Sequence, residues 1–269
     1  VGAVQGRVTV LNESNTLVTR LVALERIGGY RVDQLARDDL RLIPQFGGTV
    51  GGFRRDLLES LDGWDPRMLA EDTDLTFRVY LAGYKVRYVN EAECYEEAVE
   101  TWRSYGHQRY RWARGHMQAA FEHLWPLIMS QNLNLREKID GLFLLNIYFM
   151  PLLVVLAWVL GAVSYSIQVS ELARFYWFLP SIFIFSAVGN FAPFFEVGIG
   201  AYLDGRERIC RLIPLLLVAF LFNVVICSRA FFDLCLSKLV GNNSCRWAKT
   251  SHNGNGNDFI NISDERKGK

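Results

Sequence analysis

Leu69–Val86 reads LAEDTDLTFRVYLAGYKV. Apolar residues at helical spacing run from Leu75 to Leu81 and stop before Gly83, which predicts a helix over Glu71–Ala82 closed by a glycine cap. Short strands are expected directly after it, over Lys85–Val89 and Ala92–Glu96. On the helix, Asp72, Leu75, Thr76 and Val79 share one face, so Asp72 lies in line with residues that want burial. Asp74 instead faces Arg78 at i, i+4 and is expected to form an ordinary exposed pair. The helix dipole favours acids in a first turn, which accounts for Glu71 and Asp74. It accounts less well for an acid on the buried side. A carboxylate partly withdrawn from water can act as a general base.

Upstream, Ala3–Leu11 reads as a strand and Asn15–Ile27 as a helix, while Gly28–Gly48 reads as irregular and charged. The strand has no visible sheet to join at the start of the chain. It is expected as an unpaired edge, and residues 1–123 are expected to fold poorly alone. Phe46–Asp65, FGGTVGGFRRDLLESLDGWD, places four glycines in six positions, which permits close backbone approach to a ligand. The spacing fits neither the dinucleotide nor the P-loop pattern. A short helix over Arg54–Leu61 ends at the turn signal Asp62–Pro66, DGWDP.

Downstream, a longer helix is predicted over Thr101–His123. It contains Gly106–His116, GHQRYRWARGH. Gln108, Arg111 and Trp112 fall at i, i+3, i+4 and form one patch, with Gly115 and Ala119 leaving room along the same stripe. Arginine offers a planar fork to phosphate oxygens, glutamine a donor and an acceptor, and tryptophan a flat apolar plate on which a sugar ring can rest. The bland alternative is an amphipathic helix with a surface Arg and a packed Trp. His107 and His116 are expected at the surface, and two isolated histidines make a poor metal site.

The net charge of +1 on 269 residues excludes a whole-chain basic field for nucleic acid. The cysteines, Cys94, Cys210, Cys227, Cys235 and Cys245, are scattered and outside any C-x-x-C pair, so free thiols are expected rather than a zinc site or a disulfide framework. Charge is dense in residues 1–140 and absent from Gly141 to Ser170. Gly141–Ile167, Phe175–Leu203 and Leu212–Leu236 are each long enough to cross a hydrocarbon core of roughly 30 Å. Residues 124–140 read as an interfacial segment before them, and 237–269 as a polar tail. The Arg206, Arg208, Arg211 loop and the Arg136/Lys138 flank are cytoplasmic by the positive-inside rule, which puts 1–123 in the cytoplasm.

The order of these stretches resembles the membrane-bound family 2 glycosyltransferases, among them the processive synthases of cellulose, chitin, hyaluronan and poly-N-acetylglucosamine. The resemblance rests on Phe46-Gly47-Gly48-Thr49 with Arg54-Arg55, on Glu71-Asp72, on Gln108-Arg109-Tyr110-Arg111-Trp112 with its approach EEAVETWRSYGHQRYRW, and more weakly on RWAKTSHNG at Arg246–Gly254. It implies an α/β fold, a partial glycosyltransferase A-type domain over 1–123, followed by an α-helical transmembrane region over 141–236. It implies an inverting transfer of a sugar from a nucleotide-sugar donor to a glycan or lipid acceptor. In that frame Asp72 is similar to the family's general base. Gln108 and Arg111 resemble residues near the donor diphosphate, Trp112 the platform for the acceptor ring, and Glu71, Gly48 and Thr49 further substrate-binding positions. The resemblance also implies a divalent metal, Mg or Mn, bound through acidic motifs expected to precede Val1. The chain therefore reads as the C-terminal part of an integral membrane enzyme, at the plasma membrane with its catalytic part cytoplasmic. The alternatives are a non-catalytic membrane partner or remnant that lacks the donor-binding half, and a transporter whose working part is the apolar segments.

Overall fold

The computed structural model describes residues 1–166 and 179–240. Strand β1 (Ala3–Val10) buries Ala3, Val8 and Val10. It is the middle strand of the sheet and not the unpaired edge that its place in the sequence suggests. β2 (Gly51–Phe53) runs antiparallel on one side, pairing Phe53 with Ala3, and β3 (Val86–Glu96) runs parallel on the other. Both partners come from downstream. β2 is a three-residue strand with two glycines, a composition that hides it inside the Gly-rich stretch. β3 is continuous where two short strands were expected. Its register on β1 jumps between Gly6↔Val89 and Arg7↔Glu93, so residues 90–92 bulge and read in the sequence as a break.

After β1, Thr16 caps helix α1 (Leu17–Arg26) by accepting from the Thr19 N–H, and the Thr19 hydroxyl answers by accepting from the Thr16 N–H. The helix does not stop there. It continues through a wide-turned π-helical stretch, Ile27–Gln34, into α2 (Leu35–Asp39), over residues expected to be irregular. The glycines at 28 and 29 and the charged side chains mask a helix whose inner residues Ile27 and Tyr30 are buried. Then come α3 (Arg55–Ser60) and α4 (Glu71–Leu81), whose Phe77, Val79 and Tyr80 pack with Ile43, Val86, Ala119 and Leu127 in one hydrophobic cluster.

Helix α5 (Trp102–Met129) starts at a Thr101 cap and runs beyond His123, across the 123/124 boundary, with Pro126 inside it. A Cβ at Gly115 would sit 2.6 Å from the Ala70 nitrogen, so the missing side chain lets α5 lie directly on the approach to α4.

The helical half begins at α6 (Leu135–Asn146), capped by Asn134 with Glu137. A short turn at Ile147–Phe149 leads to α7 (Met150–Ser166), followed among the described residues by α8 (Leu179–Leu203), a tight helical stretch Glu207–Leu215, and α9 (Leu216–Val240). Leu135–Leu160 and Glu207–Val240 are long and apolar enough to cross a membrane, and Phe191–Leu203 is a shorter apolar helix. The first span therefore starts inside the segment expected to be interfacial. Part of the expected Phe175–Leu203 crossing and the tail motif at Arg246–Gly254 lie outside the described residues.

Ion pairs join the two halves. Asp204 receives Arg7 from β1 and, at 3.1 Å, Arg31; Arg206 pairs with Glu13. Tyr110 on α5 donates to Asp233 on α9 at 2.7 Å. An acid in an apolar helix is costly unless it meets a partner, and Asp233 has one.

Candidate active site

The site forms where the start of α4 meets the glycine loop. The loop is hung from the sheet and the helix. The Gly47 N–H donates to Oε1 of Gln5, a fully buried residue of β1, at 2.7 Å. The Phe46 N–H donates to the Thr76 hydroxyl at 3.1 Å, and that hydroxyl donates to the Asp72 carbonyl at 2.8 Å. Gly48 then turns with φ +75°, and a Cβ there would come 3.0 Å from Asp72 Oδ2. The loop therefore lies directly against the Asp72 carboxylate. Asp72 is half-buried, and its Oδ1 accepts the Thr73 N–H at 2.7 Å. Gly48→Ala is expected to cost about 1 kcal/mol from the left-handed backbone alone and to push the carboxylate aside. Thermal melting reads the first effect and transfer rate the second, and the rate should fall by more than the stability loss explains.

Glu71 shares this space. Burial raises its pKa first and the neighbouring Asp72 charge adds to that, while the Arg111 guanidinium opposes. The Arg111 charge on α5 thus acts on Glu71. Thr49 meets the Tyr30 hydroxyl. Burial pushes this phenol up, Arg26 opposes, the Glu96 and Asp72 charges push it further, and a hydrogen bond with Thr49 opposes. A Cβ on Gly47 would lie 2.7 Å from the same hydroxyl. The structure therefore brings Gly48 onto Asp72, sets Glu71 beside Asp72 under the influence of the Arg111 charge, and places Thr49 by Tyr30. Gln108 is half-buried one turn before Trp112 on the same helix.

Trp112 is less free than a bare plate. The Arg26 and Arg109 guanidinium carbons lie 5.1 and 4.7 Å from its ring centroid, within cation–π range. Arg109 is held by Glu25, and Arg26 by Glu96 at 2.6 Å. The basic run of α5 thus divides. Arg109 turns inward to carry Trp112, Arg114 lies toward Tyr110 and Ser237, and the Arg111 charge acts on Glu71.

Arg26 and Tyr30 escaped the sequence reading. Tyr30 fell in the stretch taken as irregular, and Arg26 is one of many arginines until its partners are known. No pattern in the sequence marks them, because the π-helical turns that carry Tyr30, a distortion that gathers at functional sites, are visible only in the fold.

Two expectations are corrected. Asp74 is not an exposed partner of Arg78. Its side chain is 6% exposed and takes Arg78 Nε at 2.8 Å and His123 Nε2 at 2.7 Å. Arg78 also donates to the Leu61 and Gly63 carbonyls at 2.6 and 2.8 Å, so this network fastens the DGWDP turn to α4. His116 is half-buried rather than at the surface. Its ring faces Thr73, with Nε2 3.0 Å from the hydroxyl, because α5 lies close on α4 at Gly115. Among the described residues no group of three or more His, Cys, Asp or Glu side chains is placed to hold a metal ion. The acidic motifs that the resemblance assigns to the metal are expected to precede Val1, and the described residues do not test that expectation.

A family model for glycosyl transferase family group 2 matches residues 1–195. The probable glycosyltransferase YdaM of Bacillus subtilis (strain 168) is 41% identical over 123 residues, which is 46% of this chain and 29% of that protein. The probable glucomannan 4-beta-mannosyltransferase 6 of Oryza sativa subsp. japonica is 28% identical over 136 residues, 51% of this chain and 24% of that protein. A solved structure, the mannosyltransferase PcManGT from Pyrobaculum calidifontis in complex with GDP-Man and Mn2+, is 16% identical with a TM-score of 0.40, over 80% of this chain and 53% of that one. This chain spans less than a third of the length of those two curated relatives. The stretch matched by the family model contains the glycine loop, Asp72 and the Gln108–Trp112 face, and the chain belongs to glycosyl transferase family group 2.

Proposed function

We propose that this chain is the C-terminal part of a membrane-bound, inverting glycosyltransferase with a glycosyltransferase A-type arrangement, which moves a sugar from a nucleotide-sugar donor to a polysaccharide or lipid acceptor. The observation that carries the reading is the contact of the Gly48 turn with the half-buried Asp72 carboxylate, beside Glu71, on which the Arg111 charge acts. Asp72 takes the proton from an acceptor hydroxyl as its oxygen attacks the anomeric carbon from the face opposite the leaving group. The bond from that carbon to the diphosphate breaks, and the nucleoside diphosphate leaves with the electron pair. Arg111 and Gln108 hold the diphosphate, with the arginine fork matched to its oxygens. Glu71, Gly48 and Thr49 line the sugar, and Trp112, stiffened by Arg26 and Arg109, supports the acceptor ring. No step assigned here passes through a metal.

The membrane reading is supported by the two long apolar helices. The pairing of Asp204 and Arg206 with Arg7, Arg31 and Glu13 supports a common side for the loop after α8 and the α/β half. With the basic loop at 206–211 cytoplasmic, the catalytic part is cytoplasmic and the enzyme belongs to the plasma membrane.

The test is transfer by the complete protein in nanodiscs, with UDP-glucose, UDP-N-acetylglucosamine and GDP-mannose as donors and release of nucleoside diphosphate as the readout. Arg111→Lys keeps the charge but loses the fork, so it is expected to raise donor KM by about tenfold, the worth of one charge-assisted hydrogen bond. Trp112→Ala is expected to lower transfer to acceptor with donor affinity nearly unchanged. Unaltered donor affinity in both variants together with loss of membrane association marks α5 as a surface anchor and sinks the reading.

A further inference from the structure

We propose that His116 is a positioning residue for this reaction, one that controls through the Thr73 hydroxyl how strongly Asp72 can take a proton, and that ties this control to the helix carrying Arg111 and Trp112. The inference rests on the reading of Asp72 as the base.

The geometry assigns the protons. His116 Nδ1 lies 2.9 Å from the Trp112 carbonyl oxygen. A carbonyl only accepts, so Nδ1 carries the hydrogen and, in the neutral ring, Nε2 is the acceptor. Two groups face Nε2, the Thr73 hydroxyl at 3.0 Å and the Gln45 amide nitrogen at 3.4 Å. Gln45 Nε2 also donates to the Thr73 oxygen at 2.5 Å, which occupies one lone pair. Gln45 is itself locked by a two-way bond with Gln34, its N–H donating to Oε1 at 2.9 Å and its carbonyl accepting from Nε2 at 3.0 Å. The single Thr73 proton thus has two possible acceptors, His116 Nε2 at 3.0 Å and Asp72 Oδ1 at 3.4 Å.

With His116 neutral, the Thr73 proton goes to the nearer nitrogen, and Asp72 Oδ1 keeps only the Thr73 N–H. With His116 protonated, Nε2 becomes a donor to the Thr73 oxygen. The hydroxyl proton then turns to Asp72, where a hydrogen bond to the charged form makes a weaker base. The titratable groups facing the ring are Asp72 from α4 and the phenol of Tyr148, whose ring centroid is 4.6 Å away; the other neighbours, Thr73, Gln45 and the Trp112 carbonyl, are neutral. Burial lowers the His116 pKa, against the opposing pulls of the Asp72 charge and the Trp112 carbonyl, and so favours the neutral form. As pH falls through the His116 titration, the Thr73 hydroxyl proton turns from His116 to Asp72 and the base weakens.

The experiment measures kcat and donor KM against pH on the complete enzyme in nanodiscs, with whichever of the three nucleotide sugars above the wild type turns over fastest. Glutamine cannot titrate, so His116→Gln is expected to lower kcat about tenfold near neutral pH, the worth of one buried hydrogen bond, to leave donor KM unchanged, and to move the acidic limb of kcat to lower pH. Thr73→Val should move the same limb, and the double variant should be no worse than the worse single one, because the two residues act through one hydrogen bond. Should His116→Gln fail to fold, His116→Asn keeps a donor for the Trp112 carbonyl and removes only the Nε2 position, and the same limb shift is expected. A wild-type acidic limb in the folded variant, or additive losses in the double variant, overturns the proposal. Turnover that survives in Asp72→Asn removes the base itself, whereas an inactive Asp72→Asn beside a wild-type His116→Gln removes only the role of His116.

Discussion

Asp72→Asn is expected to lower sugar transfer by about 10²–10⁴-fold, the usual weight of a general base, with the protein still folded and in the membrane. The structural change is small. Asparagine has the shape of aspartate, and its carbonyl oxygen can still accept the Thr73 N–H that Oδ1 accepts at 2.7 Å. The Gly48 turn packs against the Oδ2 side of the carboxyl, where asparagine places an amide nitrogen of nearly the same size, so the loop keeps its packing. The amide cannot accept a proton from an attacking hydroxyl, and the acceptor oxygen then has to attack as a neutral alcohol. The check compares donor binding, melting temperature and transfer rate in one preparation. Loss of rate with the first two unchanged is the expected result. Near-normal turnover removes Asp72 from the role.

The helix that carries Asp72 was legible from the sequence, and its neighbourhood was not. Periodicity gave α4 to within a residue at its end, and the residues placed on the Asp72 face, Leu75, Thr76 and Val79, are all fully buried. The same reasoning failed for Asp74 because it assumed a helix with one buried side. α4 is enclosed on most of its surface, with Thr73, Asp74, Leu75, Thr76 and Phe77 buried in succession. Helical spacing cannot show that, since it compares positions on one helix and the enclosing partners come from elsewhere. His123 is 49 positions downstream. Sheet order was hidden for a related reason. β1 finds its neighbours at residues 51–53 and 86–96, and a strand of two glycines and a phenylalanine carries no alternation to recognise. Gln108, Arg111 and Trp112 were grouped by spacing alone, yet the support of Trp112 by Arg26 and Arg109 depends on the pairing of those arginines with Glu96 and Glu25.

The second large effect follows from that enclosure. Asp74→Ala is expected to destabilise the protein by about 3–5 kcal/mol, the cost of removing one member of a buried ion pair, and to be worse for folding than Asp72→Asn. The Asp74 side chain is 6% exposed and the Arg78 side chain 22%, so water cannot easily replace the lost carboxylate. Arg78 would keep its bonds to the Leu61 and Gly63 carbonyls, but its charge would lose its paired carboxylate and keep only the influence of Asp65, which is itself paired with Arg67, and His123 Nε2 would lose its partner at 2.7 Å. The turn at Gly63, with φ +67°, is fixed to α4 only through Arg78 among the hydrogen bonds described here, and loosening Arg78 therefore loosens the segment that delivers Glu71 and Asp72. Asp74→Asn should cost less, because its oxygen can still accept from one of the two donors. Melting curves of the three variants in detergent give the order, with Asp74→Ala lowest, Asp74→Asn between and Asp72→Asn near wild type. Transfer rate per folded molecule separates the roles. It should survive in Asp74→Asn below its melting temperature and be lost in Asp72→Asn at every temperature. A stable Asp74→Ala protein would mean that the DGWDP turn is held by its own backbone and that the buried pair is dispensable.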